Sequence, residues 1–102
     1  MIKFSIVIPL YNKSKCILKT LNSIKNQNYQ DYEVVIVNDG STDNSKEVVE
    51  NFIEKLNLEI KQKFKLFNKD NSGVSSTRNY GVKNSSYDYI AFLDADDYWE
   101  EN

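Results

Sequence analysis

Four short apolar runs, separated by longer mixed segments, dominate the hydrophobic pattern of this chain. Phe4–Leu10 and Tyr32–Asp39 are rich in β-branched residues, which is typical of strands buried on both faces of a parallel sheet. Phe64–Asn68 alternates apolar and polar residues, which predicts a half-exposed strand, and Tyr89–Leu93 is apolar throughout. Because proline has no N–H to donate, we expect Pro9 to end the pairing of the first strand.

The segments between these runs have the spacing of amphipathic helices. The apolar face of the first helix is formed by Ile17, Leu18, Leu21 and Ile24. That of the second is formed by Val48, Val49, Phe52, Ile53 and Leu56. Asn44 and Glu47 resemble a capping box at the start of the second helix. Asn71–Val82 predicts a loop and a short helix, with Gly81 near its end.

The predicted order of elements is therefore β-α-β-α-β-α-β. Strands separated by helices imply right-handed crossovers and a mostly parallel sheet. The 102 residues are enough for one domain with a small core. We predict a Rossmann-like α/β domain with a sheet of about four strands flanked by helices.

Composition narrows the functional classes. A net charge of −2 argues against a nucleic-acid partner, since such proteins need a clustered basic face. The single cysteine, Cys16, excludes an internal disulfide and favours a reducing, cytoplasmic compartment. The chain has no histidine, so any general base within it would have to be a carboxylate or a less usual group.

Polar residues follow each predicted strand, at the edge where open α/β sheets bind ligands. They are Tyr11 and Asn12 after the first strand, Asn38 and Asp39 after the second, Lys69, Asp70 and Asn71 after the third, and Asp94, Asp96 and Asp97 after the fourth. If extended geometry continues past the fourth strand, Asp94 and Asp96 point to the same side. Clustered carboxylates need a cation to be stable together, and oxygen ligands favour Mg²⁺ or Mn²⁺.

Simpler interpretations exist for these features. An acidic cluster is often solvated surface, but here it follows directly from an apolar strand. An EF-hand loop is excluded, because Trp99 occupies the position that requires glycine. The three glycines cannot form either common phosphate-binding loop. Phosphate charge would therefore be met by a metal and by Arg78, the only arginine.

Four segments taken together resemble one family. "SIVIPLYN", "VVIVNDGSTD", "NSGVSSTRNYGV" and "YIAFLDADD" are similar to the amino-terminal half of family 2 glycosyltransferases, which have the GT-A fold. The resemblance covers nearly the whole chain. It implies a site for a nucleotide-sugar donor, usually UDP-linked.

The resemblance also assigns roles to residues. The segment that lines the nucleotide pocket in the family matches Pro9, Tyr11 and Asn12. Asp39 matches the aspartate that hydrogen-bonds the base, usually uracil, and Arg78 matches a basic residue that approaches the base.

The D-x-D-D element of the family matches Asp94, Asp96 and Asp97. Its first aspartates usually reach the ribose, and the later ones reach a divalent metal that bridges the diphosphate. The resemblance leaves open which of Asp96 and Asp97 is the main ligand. Glu100 and Glu101 lie too close to this motif to be assigned a catalytic role, and we expect them to be ordinary surface residues.

In the family, an inverting transfer uses a carboxylate base well downstream of D-x-D. We expect that base, and the region for a saccharide or lipid-linked acceptor, downstream of Asn102. Residues 1–102 would then be a truncated donor-binding domain, inactive alone. The longer protein would be cytoplasmic or peripheral at the inner face of the cell membrane.

Three alternatives remain open at this point. The chain could be a non-catalytic module that binds a nucleoside diphosphate. It could be a phosphoacceptor receiver domain, although such domains place paired acidic residues where this chain has "PLYN". An unpaired strand edge could also pair with a second copy, so a homodimer is considered.

Overall fold

The computed structural model describes residues 2–99, so the predictions for Glu100 and Glu101 lie outside the described residues. The strands are β1 (Phe4–Leu10), β2 (Tyr32–Asp39), β3 (Phe64–Lys69) and β4 (Tyr89–Phe92). The helices are α1 (Ile17–Lys25), α2 (Ser45–Glu54), α3 (Leu58–Lys61) and α4 (Val74–Lys83). The predicted strands are confirmed to within one residue at their ends. The short α3 is an addition that the sequence pattern did not predict.

The strands form one parallel sheet in the order β3-β2-β1-β4. β1 pairs with β2 along its whole length, from Phe4 opposite Tyr32 to Leu10 opposite Asn38. The two central strands are the buried ones, as predicted. The parallel arrangement brings the carboxyl ends of all four strands to one edge, which is where the polar residues collect.

Two apolar layers hold the sheet between helices. On one face, Ile6, Ile8 and Leu10 of β1 belong to a cluster that includes buried residues of α1 and α2. On the other face, Val7, Val35 and Val37 form a smaller cluster under α4. The alternation along β1 therefore supplies both layers, as expected for a strand buried on both sides.

Gly81 lies in the last turn of α4, near the end of the helix, as predicted. Its Cα faces the sheet, and a Cβ there would lie 2.4 Å from Cγ1 of Val7. A side chain at this position would therefore push α4 away from β1. The glycine therefore allows close helix–sheet packing, and the helix ends two residues later at Lys83, with Asn84 as its C-cap.

The prediction that Pro9 ends the pairing of β1 was wrong. Leu10 still pairs with Asn38 of β2. In a central strand, the backbone N–H and C=O groups of successive residues point alternately to the two adjacent strands. The carbonyl of Val7 accepts from the N–H of Leu93, on the β4 side. Pro9 faces that same side, where the ladder stops at the Val7–Phe92 pair. Its missing N–H therefore does not interrupt the ladder with β2.

Two details of the helices also differ from expectation. Leu18 is 45% exposed, because α1 buries only Ile17, Leu21 and Ile24 among its apolar residues. At the start of α2, Asn44 makes no side-chain capping bond. Asp43 supplies it instead, accepting from the backbone N–H of Ser45 at 2.9 Å. The capping-box prediction therefore placed the cap one residue too late.

β4 is an edge strand of the described sheet. Tyr89 and Phe92 are 61% and 50% exposed, so the apolar character of this strand does not reflect complete burial. None of the helices within residues 2–99 is long and apolar enough to cross a bilayer.

Candidate functional site

A cleft of about 550 Å³ opens at the carboxyl edge of the sheet. It is lined by residues 9–13 at the end of β1 and just after it, by Asp39 of β2, and by residues 94–96 after β4. The loop before α4 and the start of that helix contribute Asn71, Gly73, Val74 and Thr77. Its size suits a small organic ligand. The structure therefore brings together residues from all four polar strand ends that the sequence pattern singled out, with Asn71 as the contribution of the third.

The three aspartates after β4 converge through a tight turn, not through continued strand geometry. The N–H of Asp97 donates to the carbonyl of Asp94 at 3.0 Å, closing the turn. Ala95 at its centre is 3% exposed, whereas the three aspartates are exposed. One oxygen from each carboxylate lies within 4.8 Å of the others. The predicted clustering is present, although the extended backbone under which Asp94 and Asp96 would point to the same side does not continue past β4.

Two side chains of α1, which the sequence reasoning missed, hold this acidic turn. The hydroxyl of Thr20 donates to the carbonyl of Ala95 at 2.9 Å and also contacts the carbonyl of Asp97. Ser23 accepts the backbone N–H of Trp99 at 3.0 Å. Thr20 is a polar residue on the buried face of α1, and that placement was the available signal.

Two cations flank the acidic turn. Arg78 of α4 lies 3.3 Å from Asp94, and Lys13 lies 3.5 Å from Asp96. Asp97 has no ion-pair partner within residues 2–99. Three carboxylates against two cations leave negative charge uncompensated, so the turn can accept a further cation.

The aspartate cluster fits a hard divalent ion. Octahedral Mg²⁺ has metal–oxygen distances of about 2.1 Å, which place opposite ligand oxygens about 4.2 Å apart. The cluster offers one oxygen each from Asp94, Asp96 and Asp97 within 4.8 Å of one another, a spacing wider than that of ligand oxygens around one ion, so the three exposed carboxylates would have to draw closer together to share a cation. The ligand set is all oxygen, as Mg²⁺ and Mn²⁺ prefer.

Arg78 lies beside the acidic turn and does not line the cleft itself. Its guanidinium lies 5.7 Å from the ring centroid of Phe92, in addition to its contact with Asp94. The Nε atom is buried with no hydrogen-bond partner within the described residues. Its role near the base therefore stays a prediction, whereas its electrostatic contact with the aspartate cluster is present.

Asp39 is 4% exposed and is surrounded by donors of its own chain. Oδ1 accepts from Nζ of Lys69 at 2.9 Å and from the N–H of Ser72 at 2.8 Å. Oδ2 accepts from the N–H of Gly73 at 3.1 Å. Burial acts to raise the pKa of Asp39, but these hydrogen bonds outweigh it and hold the pKa below its usual value.

The turn after Asp39 packs directly on the loop before α4. Gly40 has φ of +68°, and a Cβ on it would lie 2.8 Å from the backbone N of Asn71. Glycine is therefore required both for its backbone conformation and for this contact. The contact fixes one wall of the cleft against another.

The three residues predicted at the end of β1 all line the cleft, and one of them also holds a neighbouring loop. Asn12 has φ of +50°, and its Oδ1 accepts the N–H of Thr42 at 2.8 Å. Its amide is therefore committed to the loop that precedes α2. Tyr11 is 46% exposed, which leaves its ring available to a ligand, and Pro9 forms part of the cleft wall.

Two buried carboxylates should make the protein sensitive to acid. Glu33 resembles Asp39 in that burial raises its pKa, while hydrogen bonds from Lys65, Ser5 and Ser86 lower it further than burial raises it. In the unfolded chain these two carboxyl groups titrate at about pH 4. Because the folded pKa values are lower, the unfolded chain binds more protons, and the free energy of unfolding falls as the pH drops below about 4.

Urea denaturation between pH 3 and 6 measures this effect. In Asp39→Asn and Glu33→Gln, the free energy of unfolding should fall less steeply as the pH drops. In Glu50→Gln, on the exposed side of α2, it should fall as steeply as in wild type. If the free energy of unfolding fell as steeply in both buried variants as in wild type, the lowered pKa values of Asp39 and Glu33 would be contradicted.

The comparisons with known proteins agree with this geometry. A family model described as "Glycosyl transferase family 2" matches residues 5–102. The chain belongs to glycosyl transferase family 2. An uncharacterized glycosyltransferase of Rickettsia bellii is 39% identical over 100 residues, covering 98% of this chain and 14% of that protein. The glycosyltransferase GlyA of Streptococcus pneumoniae is 37% identical, again over 98% and 14% of the two chains.

The solved structures show the GT-A fold of this family 2 chain. TarS of Staphylococcus aureus, a poly(ribitol-phosphate) β-N-acetylglucosaminyltransferase, is 37% identical over 96% of this chain and 17% of its own length. Its residues 1–349 in complex with UDP-GlcNAc superpose with a TM-score of 0.81, covering 95% of this chain and 27% of that one. A mannosyltransferase of Pyrobaculum calidifontis has a TM-score of 0.86 at 24% identity, which shows the fold alone. The chain thus spans well under a third of these relatives.

Proposed function

We propose that this chain forms the donor-binding part of a glycosyltransferase that uses a UDP-sugar. The observation that carries the proposal is the cleft at the carboxyl edge, which is lined both by a buried aspartate, Asp39, and by Asp94 and Asp96 of the acidic turn. The third carboxylate of that turn, Asp97, lies next to these two. A nucleoside diphosphate needs these two ends: an acceptor for the base and a cationic centre for the diphosphate. The 37% identical TarS structure holds UDP-GlcNAc.

Different residues of the cleft would contact different parts of the nucleotide. Asp39 would accept a ring N–H of the base, as its place in the family motif suggests. The exposed ring of Tyr11 would pack on the base or ribose. Asp94 would reach the ribose, and Arg78 beside it would add positive charge near the nucleotide.

A divalent ion held by Asp96 and Asp97, with Mg²⁺ or Mn²⁺ as candidates, would complete the site. When bound, such an ion stabilises the charge that develops on the diphosphate leaving group. Lys13 would contribute a second positive charge, since it already lies 3.5 Å from Asp96. Thr20 would keep the turn in place while ligands exchange.

The activity of the whole protein is proposed by analogy with the family. Transfer to a hydroxyl of a saccharide or lipid-linked acceptor, with inversion, would require a carboxylate base, which the family resemblance implies lies well downstream of the D-x-D element. The chain itself would then bind the donor without transferring it. A cytoplasmic location at the inner face of the membrane would suit a lipid-linked acceptor.

Titration calorimetry with UDP tests this proposal on the 102-residue chain. With Mn²⁺ present, we expect saturable binding of one UDP per chain. With EDTA, the affinity should fall at least about tenfold, because the diphosphate then meets the carboxylates without a bridging cation. Equal affinities under both conditions would contradict the metal role, and no binding under either would contradict the proposed function.

A further inference from the structure

Two buried carboxylates of β2 hold the two ends of α4 against the sheet. Asp39 accepts the N–H groups of Ser72 and Gly73 just before α4. Glu33, at the other end of β2 and 3% exposed, accepts the N–H of Ser86 just after it. Both lie on the sheet face that α4 covers. The two sites are built alike, but only Asp39 lies in the cleft.

Each of these carboxylates is paired with a lysine of β3. Lys69 lies directly opposite Asp39 in the β2–β3 register, and its Nζ is 2.9 Å from Oδ1. Lys65 lies 2.8 Å from Glu33. The side chain of Lys69 is only 14% exposed, whereas that of Lys65 is 42% exposed. Lys69 is therefore the more enclosed of two chemically matched lysines.

Lys69 also fastens the loop that follows it. Its Nζ donates to the carbonyl of Asp70 at 2.8 Å and contacts Oγ of Ser72. One ammonium thus joins β2, β3 and the loop before α4. This residue does not line the cleft, so any effect on a ligand must pass through Asp39 and that loop.

The hydrogen bonds leave the two oxygens of Asp39 unequal. A carboxylate oxygen accepts about two hydrogen bonds, and Oδ1 already has two, from Lys69 and Ser72. Oδ2 has one short bond, from Gly73, and a long contact of 3.4 Å with Nδ2 of Asn71. That amide also donates to the carbonyl of Asp39 at 3.0 Å, so it can give up the long contact. The hydroxyl of Thr77 is also close enough to lower the pKa of Asp39, but it donates to the carbonyl of Gly73 at 2.7 Å. Oδ2 therefore has room for one further donor.

We propose that Lys69 is a positioning residue for the nucleobase, holding Asp39 so that only Oδ2 is offered to the ligand. This inference rests on the proposed function. A fixed acceptor favours a base with a ring N–H at that point, such as uracil, whose N3 carries a hydrogen. Cytosine presents an unprotonated N3 there, which repels a carboxylate. A carboxylate free to shift could instead reach the 4-amino group of cytosine, so fixing Asp39 creates the discrimination.

The ratio of UDP to CDP affinity tests the inference, because the two ligands differ only in the base. Titrations with Mg²⁺ compare wild type, Lys69→Met and Lys65→Met, each first shown to be folded by circular dichroism. We expect Lys69→Met to lower UDP affinity about tenfold, as for a lost hydrogen bond to a charged group, and CDP affinity less than about twofold. Lys65→Met loses a matched ion pair and should leave both affinities within about twofold of wild type.

Two further variants keep the test decisive. Lys69→Arg retains the charge and should restore most of the UDP preference. If Lys69→Met does not fold, the ratio of UDP to CDP affinity is measured on Lys69→Gln, which keeps a hydrogen-bond donor toward the loop. An unchanged ratio in a folded Lys69 variant, or the same loss in Lys65→Met, would overturn the positioning role. Failure of the wild type to bind UDP would instead overturn the proposed function.

Discussion

Asp97→Ala is expected to lower the affinity for UDP in the presence of Mn²⁺ by about a hundredfold while leaving the affinity for uridine within about twofold. Loss of an outer-shell partner alone typically costs 10–100-fold in metal affinity, so loss of a direct ligand should lie at or above the upper end. Asp97 is the member of the acidic turn without an ion pair within residues 2–99. Its carboxylate is therefore the one most available to a metal.

Asp88→Ala provides a matched control for Asp97→Ala. Asp88 is an exposed aspartate just before β4, at the opposite edge of the sheet. It removes the same charge without touching the cleft, and UDP affinity should stay within about twofold of wild type. If Asp97→Ala weakened uridine and UDP equally, the division between a diphosphate end and a base end would be wrong.

Asp39→Ala is expected to produce the largest loss of stability of any single change in the cleft. Removing one partner of a buried ion pair typically costs about 3–5 kcal/mol, because the other charge is left uncompensated. Here the change would strand Lys69 and the N–H groups of Ser72 and Gly73. Urea denaturation measures the loss in the free energy of unfolding directly.

Binding and stability can be separated with two further variants. Asp39→Asn keeps the shape and should stay folded, yet its amide cannot accept in the same pattern, so uridine and UDP should both bind at least about tenfold more weakly. Glu33→Ala removes the equivalent carboxylate at the other edge. It should destabilise the protein without changing uridine affinity. If Asp39→Asn and Glu33→Ala weakened uridine binding equally, Asp39 would act only through folding.

The sheet could be predicted from the sequence because its strands are apolar and are punctuated by helical segments. The residues of β1 and β2 had no plausible alternative to a buried parallel strand. The convergence of Asp39 with Asp94 and Asp96 followed from topology alone, since parallel strands end at a common edge. The family motifs identified the same residues independently.

What the sequence could not supply was the pairing of side chains across that edge. The contacts of Lys69 with Asp39 and of Lys13 with Asp96 depend on loop geometry. Many lysines occur in this chain, and local spacing does not single out those two. Gly81 is another case: its place near the end of a helix could be predicted, but the close approach of Val7 from a distant strand, which excludes a side chain there, could not.

The central claim is that a nucleoside diphosphate binds at the carboxyl edge of this sheet. An amide NMR titration of the ¹⁵N-labelled chain with UDP and Mg²⁺ tests it most directly, because it locates the ligand. The account predicts shifts at Asn12, Gly40, Gly73 and Asp96, with the amides of Lys65 and Ser86 at the opposite edge unchanged. Shifts confined to that opposite edge, or no shifts at saturating UDP, would contradict it.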